Sequence, residues 1–154
     1  MKIKALAFGA MALALAACGD GGQNPAELRG AAFIANGDGT DITLSFDANE
    51  MRFYGQVVNL YNGDYTAAGN HIKFDQGATT LMMGPANEMA TERDYFQFLT
   101  KVNKYDLNNG TLTLIANDGQ TMTFKQVDAN AVPDDTVTVT ETEAVVVDTP
   151  VVVE

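Results

Sequence analysis

The chain has 154 residues and a formal charge of −11, with 20 acidic side chains against 9 basic ones. A surface of that sign repels nucleic acid and anionic lipid, so no nucleic-acid partner is expected. With one Cys, one His, one Ser and no Trp, a Ser–His–Asp triad would have to use Ser45 and His71, and a zinc site would have a single imidazole.

Lys2 and Lys4 precede an apolar run from Ala5 to Leu15, and Leu15-Ala16-Ala17-Cys18 follows. The run is too short to span a bilayer, which takes roughly 20 residues. Basic start, apolar centre, small residues and Cys make residues 1–17 a bacterial secretory signal ending in a lipobox. Cleavage before Cys18 makes that residue the lipid anchor and the membrane a partner through it; the alternative is plain secretion with a leftover thiol. Each buried methylene contributes about 0.8 kcal/mol, so several acyl chains hold firmly. Gly19, not an acidic residue, follows the Cys, which favours the outer over the inner membrane. The expected place is the cell envelope, facing the periplasm. Loss of the leader removes two lysines and leaves the mature chain more acidic still. Residues 18–27 are Gly-rich and polar, and read as a flexible tether.

Residues 28–127 carry the folded pattern. Leu28 to Ile34 is weakly apolar and reads as a first strand. Asn36-Gly37-Asp38-Gly39 is a turn; it has a passing likeness to a calcium loop but lacks the closing acidic ligand. Ile42, Leu44 and Phe46 alternate with Thr43 and Ser45, which makes a half-buried strand with Ser45 on the outer face. Met51 to Tyr61 reads as one long strand with a bulge or bend at Gly55, and Asn62-Gly63-Asp64 as the hairpin after it. Tyr65 to Ala67 begins the return. In His71 to Asp75, Ile72 and Phe74 share one face and His71 lies with Lys73 on the other. Gly77 to Met83 is a further strand. Later, Tyr105 to Leu107 leads to the turn Asn108-Asn109-Gly110. Thr111–Ala116 and Gln120–Val127 form a hairpin about Asn117-Asp118-Gly119, with Leu112, Leu114, Met122 and Phe124 on its apolar face.

Between these groups Ala86 to Val102 is expected to be the one helix. Asn87 is a candidate N-cap, with Pro85 just outside where its missing N–H does no harm. Glu88, Glu92 and Asp94 lie towards the positive end of the dipole, Lys101 and Lys104 towards the negative end. Met89, Phe96, Leu99 and Val102 make an apolar stripe that needs a sheet to cover.

Residues 128–154 hold seven acidic residues, no Lys or Arg and no aromatic, with Thr-Val-Thr-Val-Thr and two Val-Val-Val runs. They read as an acidic disordered tail. The rival reading is a strand added to a sheet edge, since Val and Thr favour strands.

From Leu28 to Val127 the pieces resemble, in order, a META domain of the HslJ-like family of secreted bacterial proteins. Gly55-Gln56-Val57-Val58-Asn59-Leu60-Tyr61 with Gly63-Asp64-Tyr65 resembles the family's Gly-x-x-Cys-Asn-x-Tyr-x-Gly-x-Tyr. His71-Ile72-Lys73-Phe74 resembles its next strand. Thr80-Leu81-Met82-Met83-Gly84-Pro85 resembles its Thr-x-Met-x-Cys-Pro, and the Glu-rich helix and the Leu112-Thr113-Leu114 hairpin follow. Val58 and Gly84 stand where many members carry Cys, so no disulfide carries over. The resemblance implies an α+β fold, a strongly curved antiparallel β-sheet packed on one α-helix. It also implies a link to envelope stress, with no catalytic residue. Asn59, Tyr61 and Tyr65 match the family motif; the structural reading is that Asn59 bonds local backbone and the tyrosines pack the sheet.

Nothing in the sequence names an activity. The expectation is a non-enzymatic envelope lipoprotein that binds an envelope protein or a ligand, with no cofactor, no metal and no catalytic residue assigned. The alternative is a small-molecule binding module using the curved sheet as its pocket, which an interior filled by Phe46, Phe53, Ile72, Phe74 and Phe96 would remove. A paired-carboxylate hydrolase is the third reading; turns and a solvated helix face account for those carboxylates.

Overall fold

Eight antiparallel strands, each paired with its sequence neighbour, close into a barrel. They are β1 (Ala32–Gly37), β2 (Thr40–Phe46), β3 (Arg52–Gln56), β4 (Leu60–Ala68), β5 (His71–Thr79), β6 (Val102–Asn108), β7 (Thr111–Ala116) and β8 (Thr121–Val127). One helix, α1 (Ala86–Leu99), lies between β5 and β6, and a 3-10 turn at Ala129–Ala131 follows β8. The computed structural model describes residues 24–131. Cys18, the leader and residues 132–154 lie outside the described residues.

The strands alternate in direction, so the barrel has two distinct mouths. The turns after β1, β3 and β7 and the helix share the upper mouth; the turns after β2, β4 and β6 and residues 24–31 share the lower one. Period-two alternation on each strand gives one apolar face, and closure turns all those faces inward while leaving few edges. The expected curved sheet with one helix is therefore correct in outline, and the curl runs to a closed barrel. Phe33, Phe46, Phe53, Leu112, Leu114 and Phe124 are fully buried. Aromatic rings meet edge to face: Phe46 and Tyr65 at 5.1 Å, Phe53 and Phe74 at 4.9 Å, the arrangement their quadrupoles favour. Eight strands leave an interior just wide enough for side chains to fill. The sheet concavity is thus occupied by its own residues, which removes the cup-like pocket.

Local chemistry sets the hairpins that the sequence marks clearly. Asp38 and Gly39 both take positive φ, as do Asn109 and Gly110, the backbone that two-residue turns between twisted strands require. Asn36 Oδ1 accepts the Gly39 N–H at 3.1 Å, and Asp118 Oδ1 accepts the Gln120 N–H at 3.0 Å.

Elsewhere tertiary contacts override local signals. The long strand expected from Met51 to Tyr61 is two strands, β3 and β4, and the chain reverses at Val57–Asn59. Asn62-Gly63-Asp64, read as a turn, sits inside β4. A Cβ at Gly63 would lie 2.2 Å from the Asp75 carbonyl oxygen and 2.7 Å from the Phe53 ring. That glycine serves close strand approach, not reversal. The first strand starts at Ala32, because Leu28 instead plugs the lower mouth, fully buried. Asn24 Oδ1 accepts the Tyr65 hydroxyl at 2.5 Å and Glu27 Oε1 accepts that of Tyr105 at 2.8 Å. Residues 24–27, assigned by sequence to the tether, are therefore held against the barrel. The strand expected over Gly77–Met83 ends with β5 at Thr79, and residues 80–85 have no regular structure.

The helix ends at Leu99, and Val102 already belongs to β6. Asn87 does not cap it: Pro85 holds the cap position without a side-chain bond, and Asn87 lies within the first turn, where its carbonyl accepts the Thr91 hydroxyl at 3.2 Å. The buried stripe is Glu92, Tyr95, Phe98 and Leu99. It is rotated from the expected one, so that Met89 and Phe96 lie at its margin, half-buried.

Candidate functional site

At the upper mouth a buried carboxylate organises three segments. Glu92, on the inner face of α1, is 6% exposed. Its Oε2 accepts the N–H groups of Val58 at 3.0 Å and Asn59 at 2.6 Å, and its Oε1 accepts Asn59 Nδ2 at 2.9 Å. Three donors replace the water that a carboxylate loses on burial. Asn59 passes the bonding on: its Oδ1 accepts the Met82 N–H at 2.6 Å and the Thr80 hydroxyl at 3.0 Å. Thr80 Oγ1 in turn accepts the Leu60 N–H at 3.1 Å. The chain from α1 through the β3–β4 turn thus fixes residues 80–82 from their backbone side.

Those residues present their side chains outward. Leu81 and Met83 are each 93% exposed and Met82 49%. They border a groove of about 560 Å3 whose other wall is Met89, Arg93, Phe96 and Gln97 of α1, with Gln76 and Thr79 of β5 at its floor. A second cavity of similar volume flanks the opposite side of α1, between Ile42, Phe98 and Met122.

The barrel seam runs into the first groove. β5 pairs with β6 at one position, His71↔Lys104, and Asn70 accepts the Tyr105 N–H at 2.9 Å. From Lys73 to Thr79, β5 has no ladder partner on that side among the described residues, because the chain leaves for α1 instead of adding a strand. Since β5 turns its backbone groups to alternate sides, and Asn70 faces β6, Phe74 and Gln76 direct their N–H and C=O groups away from β4. The groove therefore has an open strand edge at its floor and the apolar side chains of Met89 and Phe96 on its helix wall.

Deeper in the same mouth, Tyr61 and Tyr95 share a hydroxyl–hydroxyl bond of 2.8 Å, and Tyr61 also donates to the Thr43 carbonyl. Burial raises both phenols above their ordinary range, Tyr61 further because Tyr95 lies against it. They are neutral and structural at physiological pH.

Of the residues singled out in the sequence, Asn59 and Tyr61 join at the upper mouth, while Tyr65 lies at the lower end against Asn24. Both tyrosines pack the interior, as the structural reading of the motif expects, whereas the Asn59 side chain bonds not local backbone but Thr80, Met82 and Glu92, far along the chain. Ser45, which alternation puts on an outer face, is instead buried, 2% exposed, in register with Ala32 of β1 and Tyr54 of β3. Its Oγ has no hydrogen-bond partner among the described residues. His71 is exposed on β5, with β3 and β4 between it and the strand of Ser45, so no triad assembles from them. Among the described residues no cluster of three His, Cys, Asp or Glu could hold a metal, and no helix is long and apolar enough to cross a membrane. Val58 and Gly84 prove to be neighbours: a Cβ on Gly84 would lie 2.8 Å from Val58 Cγ1. Sequence reading missed Glu92, which it assigned to the helix dipole. The spacing held the clue, since Glu92 stands three residues after Met89 and four before Phe96, inside an apolar stripe.

Comparison with known proteins gives a family and a fold. The sequence model of the META domain matches residues 22–129. No curated protein matches. An NMR structure of a protein from Burkholderia xenovorans is similar at a TM-score of 0.56 and 19% identity, over 82% of this chain and 99% of that one. A second NMR structure gives 0.52 and 19%, over 67% and 94%. At that identity the likeness carries the fold alone.

Proposed function

We propose that this chain, which belongs to the META domain family, is a non-enzymatic lipoprotein of the bacterial cell envelope that binds an extended polypeptide segment in the groove between β5 and α1. Acyl chains on Cys18 hold it to the membrane, the outer in preference to the inner, with the barrel facing the periplasm. The leader, Cys18 and the acidic composition support the location; the family resemblance supports a role under envelope stress.

The observation that carries the binding reading is the open edge of β5 beside an apolar wall. A strand that adds to such an edge gains main-chain hydrogen bonds for affinity and alternate side-chain pockets for specificity. Leu81 and Met83 add apolar area to it, and flexible Met side chains suit varied partners. A small molecule would have to use this groove or the cavity on the opposite side of α1, since the barrel interior is filled.

A photo-crosslinking residue at Met83, carried by the lipid-anchored protein in intact cells, tests the reading. Adducts to a defined polypeptide segment are expected, and Gln76→Pro, which removes an outward edge donor and no β4 ladder bond, should abolish them. Adducts indifferent to Gln76→Pro would overturn it. Cys18→Ser should move the protein from the membrane to the soluble fraction; a wild-type protein already soluble and unacylated would sink the anchored part.

A further inference from the structure

We infer that Met82, Met83 and Met89 make this groove a reversible methionine-oxidation site, with a peroxide as co-reactant, and that oxidation empties the groove. The site stands on the methionines alone; the emptying rests on the strand-binding reading above.

Three observations carry it. The first is placement. Five methionines lie among the described residues. Met82, Met83 and Met89 line this one groove, whereas Met51 and Met122 pack against the barrel core, Met122 also bordering the second cavity. The second is exposure. Leu81, Met82 and Met83 are the large apolar side chains that the described residues leave exposed, and Met89 stands half-buried beside them. Peroxide must reach the sulfur, so access sets the rate. The third is that the display is built. Asn59 holds the Met82 main chain from both sides: its Oδ1 accepts the Met82 N–H at 2.6 Å, and its Nδ2 donates to the Met82 carbonyl at 3.3 Å. The Thr80 N–H donates to the Leu60 carbonyl at 3.0 Å. The thioethers face water because a hydrogen-bond network turns them there, not because the segment is loose.

A thioether is a two-electron reductant. Its sulfur attacks one peroxide oxygen; the S–O bond forms as the O–O bond breaks, and the second oxygen leaves as water with the proton that the first gives up. The sulfoxide is polar where the thioether was apolar. Its oxygen needs hydrogen bonds that an apolar occupant cannot supply, so each sulfoxide buried under one lowers affinity about tenfold. The barrel is spared, since none of the three belongs to its core. The way back takes two thiols of a sulfoxide reductase, which end as a disulfide while the oxygen leaves as water. Exposed side chains admit such an enzyme.

Limiting hydrogen peroxide added to the full-length protein, followed by peptide mass spectrometry, tests the site. Sulfoxide should accumulate at Met82 and Met83 about tenfold faster than at Met51 and Met122, with Met89 between. The Tm should hold, and a pair of methionine sulfoxide reductases with a dithiol should restore the thioethers. Equal rates at all five overturn the inference. So does a fall in Tm as the groove methionines oxidise, or sulfoxide that the reductases cannot remove.

A photo-crosslinker at Leu81 in intact cells tests the emptying. Peroxide given before illumination should cut the adducts about tenfold or more. Met82→Leu, Met83→Leu and Met89→Leu together keep the apolar volume and should make the yield indifferent to peroxide. A loss that persists in the triple variant lies in the partner and overturns the switch, as does undiminished crosslinking of the oxidised protein. Adducts that Gln76→Pro fails to reduce in untreated cells sink strand binding instead, and leave the oxidation site, read by mass spectrometry, standing.

Discussion

Glu92 and Asn59 are joined side chain to side chain at 2.9 Å, and Glu92 also accepts the Asn59 backbone N–H at 2.6 Å. One carboxylate thereby ties the helix to a turn more than thirty residues before it, and through Asn59 to residues 80–82. Replacing Glu92 with Ala leaves the Val58 and Asn59 donors without their buried acceptor. Each unmet buried group costs about 1–3 kcal/mol, so a total loss of about 3 kcal/mol is expected, with a fall in Tm of more than about 10 °C. Glu92→Gln keeps one acceptor oxygen and should fall between. Glu88→Ala, on the same helix, should change stability by less than about 0.5 kcal/mol. Urea unfolding of the three variants checks this; equal stabilities for Glu92→Ala and Glu88→Ala would refute the clamp.

Tyrosine ionisation gives a pH prediction. Burial holds Tyr65 up at about 12, and Tyr61, Tyr95 and Tyr105 are also raised, chiefly by burial, with the Glu27 carboxylate adding to the rise at Tyr105. An unfolded tyrosine titrates near 10. A group whose folded pKa exceeds its unfolded one binds more protons in the folded state at high pH. Its contribution is therefore whole below pH 10 and is lost as pH rises from 10 towards 12 and beyond. Tyrosinate absorbance should lag the ordinary curve and then rise together with loss of near-ultraviolet circular dichroism. Titration of most tyrosines near pH 10 with the fold intact would contradict the buried assignments.

How much of this the sequence discloses depends on where each cause lies. The turns at Asp38-Gly39, Asn109-Gly110 and Asp118-Gly119 are legible because their causes are their own residues. The reversal at Val57–Asn59 is not, since it is held by Glu92 far along the chain. Gly63 misleads for the opposite reason: its missing side chain answers to Asp75 and Phe53, which no local pattern contains. The helix is legible as a helix, but its buried face depends on which side meets the barrel mouth. Closure itself is invisible to period two, because alternation says which face is inside and not how many strands share it. The motif residues Asn59, Tyr61 and Tyr65 were legible, whereas the groove was not, because it exists only where β5 outruns β6.

Ser45 supplies a test in the unusual direction. Its Oγ is buried without a partner among the described residues, so the hydroxyl is desolvated with nothing in return from them. Ser45→Ala should leave stability equal or raise it by up to about 1 kcal/mol. A loss above that figure would mean that the hydroxyl is bonded.

Gly55 should tolerate nothing larger. A Cβ there would lie 2.0 Å from the Thr43 carbonyl oxygen and 2.6 Å from the Tyr61 hydroxyl. That carbonyl is the one that accepts the Tyr61 hydroxyl, so a shift would break that bond and spread β2 from β3. Overpacking against backbone costs about 3 kcal/mol or more. Gly55→Ala should express poorly or unfold at a markedly lower urea midpoint, whereas Gly39→Ala, with no atom within 4 Å of its Cβ, should lose only what a positive φ costs, about 1 kcal/mol. Equal midpoints would show that β2 and β3 can part without penalty.

The contact between Val58 and Gly84 predicts that a crosslink absent here can be restored. The Cβ position on Gly84 lies 2.8 Å from Val58 Cγ1, which is where the sulfur of a cysteine replacing Val58 would stand. A Cβ and its partner's sulfur are roughly 3 Å apart across a disulfide, so that distance is met, and Gly84 has no positive φ to strain a side chain. Val58→Cys with Gly84→Cys, in a Cys18→Ala background that removes the only native thiol, should oxidise spontaneously. It closes a loop of about 26 residues, worth about 3 kcal/mol in the chain-entropy account. The oxidised protein should lack free thiol and melt higher than the same protein with reductant. It should also hold Leu81 to Met83 still, slowing exchange of the Met82 amide that Asn59 accepts. Two titratable thiols under oxidising conditions, or a Tm indifferent to reductant, would show that residues 80–85 do not sit against the β3–β4 turn.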